Sequence, residues 1–222
     1  MTQFRLIENV LNAQQIAQLT DIAAKAKFVD GKISNPHSKA KDNLQMHDEG
    51  LQQSAVNIMA QALFANEDFM NFAIPTQFAP PLICRYTAGM KYGLHPDAAM
   101  MGIGNVSIRS DLSCTLFLND PDSYEGGHLR SVLGTEEIRV KGPAGSAIVY
   151  PSSTLHEVEE VTKGERLVAI TFIQSQVPDT AQRELLYELG EVAALEGNSM
   201  SSENYTRLQA VQFNLRRMWQ RS

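Results

Sequence analysis

The sequence predicts an α+β protein with a jelly-roll or sandwich β core and helices at both ends. Two observations carry this. From Leu82 onward, eight short runs rich in β-branched and aromatic residues, each bounded by turn signals, fill about ninety residues. The segments before and after them place apolar residues at helical spacing. A length of 222 residues suits one sizeable core with additions rather than two full domains. With 43% apolar and 20% charged residues, disorder along the whole chain is not expected.

The elements follow in order. Leu11, Ile16, Leu19, Ile22 and Ala23 share one face of a first helix, with Asn12 placed to cap it. The polar stretch Phe28 to Gln45, with Gly31, Asn35 and Pro36, reads as a loop. A second helix is expected over Leu51 to Leu63, with Val56, Met59, Ala60 and Leu63 on one face, and Pro75, Pro80 and Pro81 mark an irregular link. The strand candidates are LICRYT, KYGLHPD, LSCTLFLND, GGHLRSVL, EEIRVKG, GSAIVYP, LHEVEEV and RLVAITFIQSQ, with corners at Gly126-Gly127, Gly142-Pro143 and Lys163-Gly164. After Pro178, Asp179 or Thr180 can cap a helix through Leu185, Leu186 and Leu189. Gly197-Asn198 interrupts it, and Ser201 or Ser202 can cap a last helix through Leu208, Val211, Leu215 and Trp219. The expected division is 1–77 packing on the core, 78–177 as the jelly roll and 178–222 as a C-terminal helical segment.

Charge and composition narrow the partners. A net charge of -6 leaves no cationic surplus for displacing counterions from nucleic-acid phosphate. Arg216, Arg217 and Arg221 read as solvated helix surface. Cys84 and Cys114 make no CxxC pair and lie in apolar strand-like runs, so buried free thiols are expected. No segment approaches the roughly 20 apolar residues of a bilayer span, and MTQFRLIENVLNAQQ lacks a basic stretch followed by an apolar run. The expectation is a cytoplasmic protein with no nucleic-acid or membrane partner. Whether the C-terminal helices cover the core or bury a second copy as a homo-oligomer stays open.

The chemistry is concentrated in Arg85 to Asp97, RYTAGMKYGLHPD. Alternate side chains of an extended strand share a face, so His95 and Asp97 offer an imidazole and a carboxylate to one point. Of the five histidines, His156 is the best third donor, alone in a strand-like run just after the buried-looking GSAIVYP. Two His and one carboxylate leave coordination positions open, as Fe(II) needs to take a bidentate co-substrate and O2 together. An oxo-acid co-substrate also needs a cation for its far carboxylate. Arg166, after the Lys163-Gly164 turn, has the planar fork for it, and Tyr86 could add a hydroxyl. Each feature alone is common by chance: a lone HxD pair, a core histidine, a strand-edge arginine, a core tyrosine. Their joint occurrence inside one β region is not.

Tyr86-x-x-Gly89-x-x-Tyr92-x-x-His95-x-Asp97 resembles the iron-site segment of the prolyl 4-hydroxylase superfamily, and Tyr150 to Val177 resembles its second half. The similarity is closest to PKHD-type (PiuC-like) hydroxylases and covers most of the chain, including SDLSCTLFLNDPDSYEGG and the C-terminal helical segment. It implies a double-stranded β-helix (cupin-like) core, iron ligation by His95, Asp97 and His156, 2-oxoglutarate held by Arg166, and Tyr86 lining the co-substrate pocket. It implies L-ascorbate as a further cofactor, and a prolyl or lysyl residue or a small molecule linked to iron uptake as the hydroxylated substrate. His128 stands where the family often has Glu. Asp97 argues for hydroxylation over halogenation, which needs that position vacated for chloride. Two other readings remain: a cupin-type metalloenzyme that uses no oxo acid, and a sensor that binds metal or 2-oxoglutarate without turnover. The pocket-lining loops are expected at Phe28–Leu44 and Met100–Arg109.

Overall fold

Strand Leu112–Phe117 is buried along its whole length, and that fact sets the architecture. Its even residues Leu112, Cys114 and Leu116 join a core shared with helices, while Phe117 joins a second core facing the other way. A strand covered on both sides reads as a continuous apolar run rather than an alternation. The computed structural model describes residues 3–221.

The major sheet runs in the order Arg5–Ile7, Ala147–Pro151, Leu112–Phe117, Glu165–Ser175, Leu82–Thr87, Leu44–Met46 and Phe28–Asp30, with Pro75–Phe78 pairing the far end of Glu165–Ser175. The minor sheet runs Glu136–Val140, Leu129–Leu133, Leu155–Val158, Lys91–His95 and Lys41–Asp42. Between the two lie Cys84, Tyr86, Phe117, Ile148, Tyr150 and Val168 of the major sheet, facing Leu129 and Val158 of the minor one. This is the jelly roll expected from the strand runs.

Helices α1 (Ala13–Lys25), α2 (Glu49–Ala65) and α3 (Glu67–Ala73) cover the other face of the major sheet. Asn12 caps α1 in a reciprocal box: its side chain accepts from Gln15 N, and Gln15 Oε1 accepts from Asn12 N, both at 2.9 Å. Leu19, Ala23, Met59, Leu63 and Phe69 are fully buried against Ile83, Leu116 and Ile173. Each such side chain contributes about 1.5–3 kcal/mol by leaving water. Helix α4 (Thr180–Glu196) is capped by Asp179 and packs on α3 through Tyr187, whose ring meets Phe72 edge-on at 5.4 Å. Helix α5 (Ser202–Trp219), capped by Ser201, rests Leu215 and Trp219 against Ile74, Val177 and Leu186 and buries no residue fully. None of the helices among the described residues is long and apolar enough to cross a membrane.

Four expectations need correction. Phe28 to Gln45 is not a plain loop: it holds strands of two or three residues and a 3-10 turn at Gly31–Ser34, too short for any periodicity to register. Helix α3, capped by Asn66, is missing from the expected elements because seven residues make only two turns. The burying face of α2 is Ala55, Met59, Ala62 and Leu63, with Val56 and Ala60 only half-buried. Met100–Arg109 is a β-hairpin rather than a loop.

One side chain pins the strand that matters most for the site. Asn119 donates through Nδ2 to Glu165 O at 2.6 Å and accepts from Leu167 N at 2.9 Å, clamping the backbone on either side of Arg166. Asn119→Ala leaves both backbone groups without their partner and is expected to destabilise the fold by about 2 kcal/mol. Urea denaturation of the two proteins checks this; an unchanged midpoint would show that water replaces the clamp.

Candidate active site

The register of two minor-sheet strands brings the histidines together. Leu155–Val158 pairs antiparallel with Lys91–His95 so that His156 lies directly opposite His95. Their ring centres are 4.4 Å apart. Asp97 reaches the same point by a different route from the one alternation suggests. The strand ends at His95, and Pro96 removes a donor that a ladder would need. Asp97 is then held from the major sheet: its backbone N–H reaches Ser152 O at 3.4 Å, and its Oδ2 accepts from Ser113 Oγ at 2.5 Å.

Both imidazoles are fixed in one tautomer by their backbone. His95 Nδ1 is 2.7 Å from Gly93 O and His156 Nδ1 is 2.9 Å from Thr154 O. A carbonyl only accepts, so each Nδ1 carries the proton and each Nε2 presents a lone pair. His156 Nε2 lies 3.6 Å from Asp97 Oδ2. The potential ligand atoms of the three residues all fall within 4.8 Å of one another, the only such group of His, Cys, Asp or Glu among the described residues. Burial and the neighbouring His156 hold the His95 imidazole below its ordinary pKa, which favours the neutral form that ligates. Two lone pairs and a carboxylate converging without an internal cation are a donor set for a divalent metal, and they fit Fe(II) with positions left open.

A chain of hydroxyls stands behind Asp97. Ser113 gives its hydrogen to the carboxylate, so Ser152, at 2.8 Å, donates to Ser113, and Ser110 donates to Ser152 at 2.8 Å. Each hydroxyl has one hydrogen, so the direction is forced along the whole relay. Around the imidazoles, Tyr92 stacks on His95 at 3.6 Å, and Tyr150 meets His156 edge-on at 5.2 Å. Tyr150 is fully buried and its phenol is pushed well above its usual pKa by that burial.

Arg166 and Tyr86 face each other across Glu165–Ser175 and Leu82–Thr87, and the guanidinium lies 5.1 Å over the tyrosine ring. Arg166 is only 1% exposed, yet Nε and Nη1 have no hydrogen-bond partner, and no carboxylate pairs with it among the described residues. Tyr124 is beside it, with its buried hydroxyl against the guanidinium. Burial raises the Tyr124 phenol while the Arg166 charge opposes the rise. The Gly126-Gly127 corner makes this closeness possible. Gly127 sits at φ +66°, and a Cβ there would meet Arg166 Cδ at 3.0 Å and the Tyr124 ring at 3.1 Å. His95, Asp97, His156, Arg166, Tyr86, Tyr150 and Thr115 line one cavity of about 450 Å³.

All five expected site residues therefore meet in one place. His128 does not: it lies on the outer side of the minor sheet, Nδ1 3.3 Å from Glu159. Ser110, Ser113 and Ser152, Tyr124 and Tyr150 went unnoticed in the sequence. A usable signal existed for Ser113 and Tyr150, which alternate inward with Thr115 and Ile148 on their strands; nothing local marks Tyr124.

Comparison with known proteins agrees with this geometry. Residues 81–174 match the 2OG-Fe(II) oxygenase superfamily, a span that holds all five residues. Over nearly its full length the chain is 56% identical to a PKHD-type hydroxylase of Sphingopyxis alaskensis, covering 98% of this chain and 100% of that one. It is 42% identical to a PKHD-type hydroxylase of Thermosynechococcus vestitus, covering 96% and 97%. The chain belongs to the PKHD-type hydroxylases, 2-oxoglutarate-dependent iron dioxygenases. Among solved structures, a prolyl-4-hydroxylase of Pseudomonas putida shares the fold, with a TM-score of 0.55 at 20% identity over 78% of this chain and 92% of that one.

The serine relay yields a test. Ser113→Ala removes the donor that orients Asp97 without touching a potential ligand, and is expected to weaken Fe(II) binding by about ten- to a hundredfold. Anaerobic metal titration measures it; an unchanged affinity would mean that the carboxylate orients itself.

Proposed function

We propose that His95, Asp97 and His156 hold Fe(II), and that Arg166, with Tyr124 and Tyr86 beside it, holds the 5-carboxylate of 2-oxoglutarate in the same cavity. The observation that carries this is the buried guanidinium with two unpartnered nitrogens. An uncompensated buried charge costs several kcal/mol, and a planar carboxylate bound to its fork would offset that cost. A dicarboxylate whose other end chelates metal fits such a cavity; a metalloenzyme without an oxo acid leaves Arg166 unexplained.

The overall reaction inserts one oxygen atom of O2 into a substrate C–H bond and the other into 2-oxoglutarate, which leaves as succinate and CO2. When bound, the iron supplies the activation of O2 that this requires. The chain's own groups do the rest. The two Nδ1–H···O=C bonds keep both Nε2 lone pairs available throughout. The serine relay orients Asp97 through the Ser113 hydroxyl. Tyr86, Leu129, Val158 and Ile170 exclude water around the reacting atoms. The reaction centre then lies within the expected 78–177 unit, with 1–77 and 178–222 supporting it from outside. L-Ascorbate serves as reductant for iron oxidised in unproductive turnovers. The free thiols Cys84 and Cys114, both buried, suit the reducing cytoplasm.

Asp97→Ala is expected to abolish Fe(II)-dependent succinate release from 2-oxoglutarate; near-normal release would remove Asp97 from the ligand set. Arg166→Ala is expected to raise the 2-oxoglutarate KM by about ten- to a hundredfold, the loss of one or two charge-assisted hydrogen bonds. A KM that stays put would assign the anchor to another cation.

A further inference from the structure

A second chamber of about 1110 Å³ shares Tyr92, His95, Asp97, Ile170 and Phe172 with the cavity that Arg166 lines. Its lining carries one cation. Lys41, on edge strand Lys41–Asp42 and opposite Tyr92 in register, is 5% exposed. Its ammonium donates to Ser34 Oγ at 2.7 Å and stands 5.4 Å from the centre of the Tyr92 ring, the same ring that stacks on His95. Among the described residues the lysines in ion pairs are Lys25, Lys91 and Lys163, not Lys41. Asp97 and Asp30 favour its charge only at longer range, and burial lowers its pKa from the ordinary lysine value. Gln45, 2% exposed, belongs to the same lining, with its amide against Cys84.

The Lys41 ammonium has Ser34 as its one hydrogen-bond acceptor and no ion-pair partner among the described residues, which leaves two of its N–H groups for a ligand in the chamber. A neutral carbonyl would answer a hydrogen bond but leave the ammonium without a counter-charge. One positive charge matches a monoanion such as a carboxylate. Much of the remaining lining is apolar: Pro80, Leu82, Met101, Ile170 and Phe172. We propose that Lys41, with Gln45 beside it, binds a carboxylate of the primary substrate, which is therefore an acid with an apolar body. The inference that this body presents its C–H to the metal rests on the dioxygenase reading; the anion preference does not.

A carboxylate of this kind is carried by a free small acid or by an acidic residue in a peptide, and the probes separate the two. The protein is loaded with Zn(II) and saturating 2-oxoglutarate, so that the Arg166 site is filled. 4-(Trifluoromethyl)benzoate and its amide are then titrated by 19F NMR. In parallel, a blocked tripeptide centred on glutamate is compared with its glutamine counterpart. At least one acid is expected to bind about tenfold or more tightly than its amide. Preference in the first pair marks a small acid, and in the second pair alone a peptide. Lys41→Met is expected to erase the preference, and Lys41→Arg to keep it. Should Lys41→Met fail to fold, Mn(II) in place of Zn(II) decides: a preferred acid must show strong paramagnetic broadening in the wild-type protein. Equal binding of acid and amide, no binding of either acid at millimolar concentration, a preference surviving Lys41→Met, or no broadening would each overturn the proposal. Succinate release by the wild-type protein without probe is measured separately, so loss of that activity counts against the dioxygenase reading alone.

Discussion

A guanidinium sealed inside a protein without a counter-ion is a standing electrostatic debt, and the surroundings of Arg166 are arranged around it. Burial at 1% exposure strips its hydration, the Tyr86 ring beneath it offers only its π face, and two nitrogens remain free. Among the described residues no carboxylate answers the charge. Neutralising Arg166 with an internal acid would have been simple for a protein that needed only a stable core. The fold instead clamps the strand on both sides of the residue through Asn119 and removes the side chain at Gly127 that would press on it. A ligand that binds the folded state and not the unfolded one adds RT ln(1 + [L]/Kd) to stability, about 2.7 kcal/mol at a hundredfold excess over Kd. Binding an oxo acid here would therefore tighten the fold as well as prepare the chemistry.

The jelly roll provides the two things such a centre requires. Its minor sheet sets the imidazoles opposite each other by strand register, a placement that a slip of one residue would reverse. Its major sheet, buried on both faces, projects Ser113, Tyr150 and Arg166 inward while its other face is occupied by the helices. Both imidazoles thus come from the minor sheet, and the Ser113 hydroxyl that holds Asp97 comes from the major one. Asp97 lies where the two are joined: it follows a minor-sheet strand and is fixed by major-sheet hydroxyls.

Much of this was legible in the residues, for identifiable reasons. Strands such as Ala147–Pro151 announce themselves as unbroken apolar runs, and helices such as α1 by an apolar period and a capping residue type, as Asn12 shows. His95, Asp97, His156, Arg166 and Tyr86 stand out by their joint occurrence inside one β region, since each alone is common. What escaped lacks such a signature. The strands Phe28–Asp30, Lys41–Asp42 and Leu44–Met46 are edge additions whose pairing depends on partners distant in sequence. The serine relay consists of common residues whose role exists only once Asp97 bends away from its strand. Tyr124 becomes relevant only because a double-glycine corner folds it against Arg166.

The two cations without an ion-pair partner that line the site differ in kind. Arg166 is planar, five-donor and fixed between strands in the first cavity, suited to one carboxylate in one orientation. Lys41 is a point charge on an edge strand, in the second chamber. A co-substrate common to every turnover calls for the rigid fork. A substrate that must enter, present one C–H bond and leave as product is better held by a charge that turns with it. His95 and Asp97 border both chambers, so the Arg166 fork and the Lys41 point charge lie in two spaces that meet at these two residues.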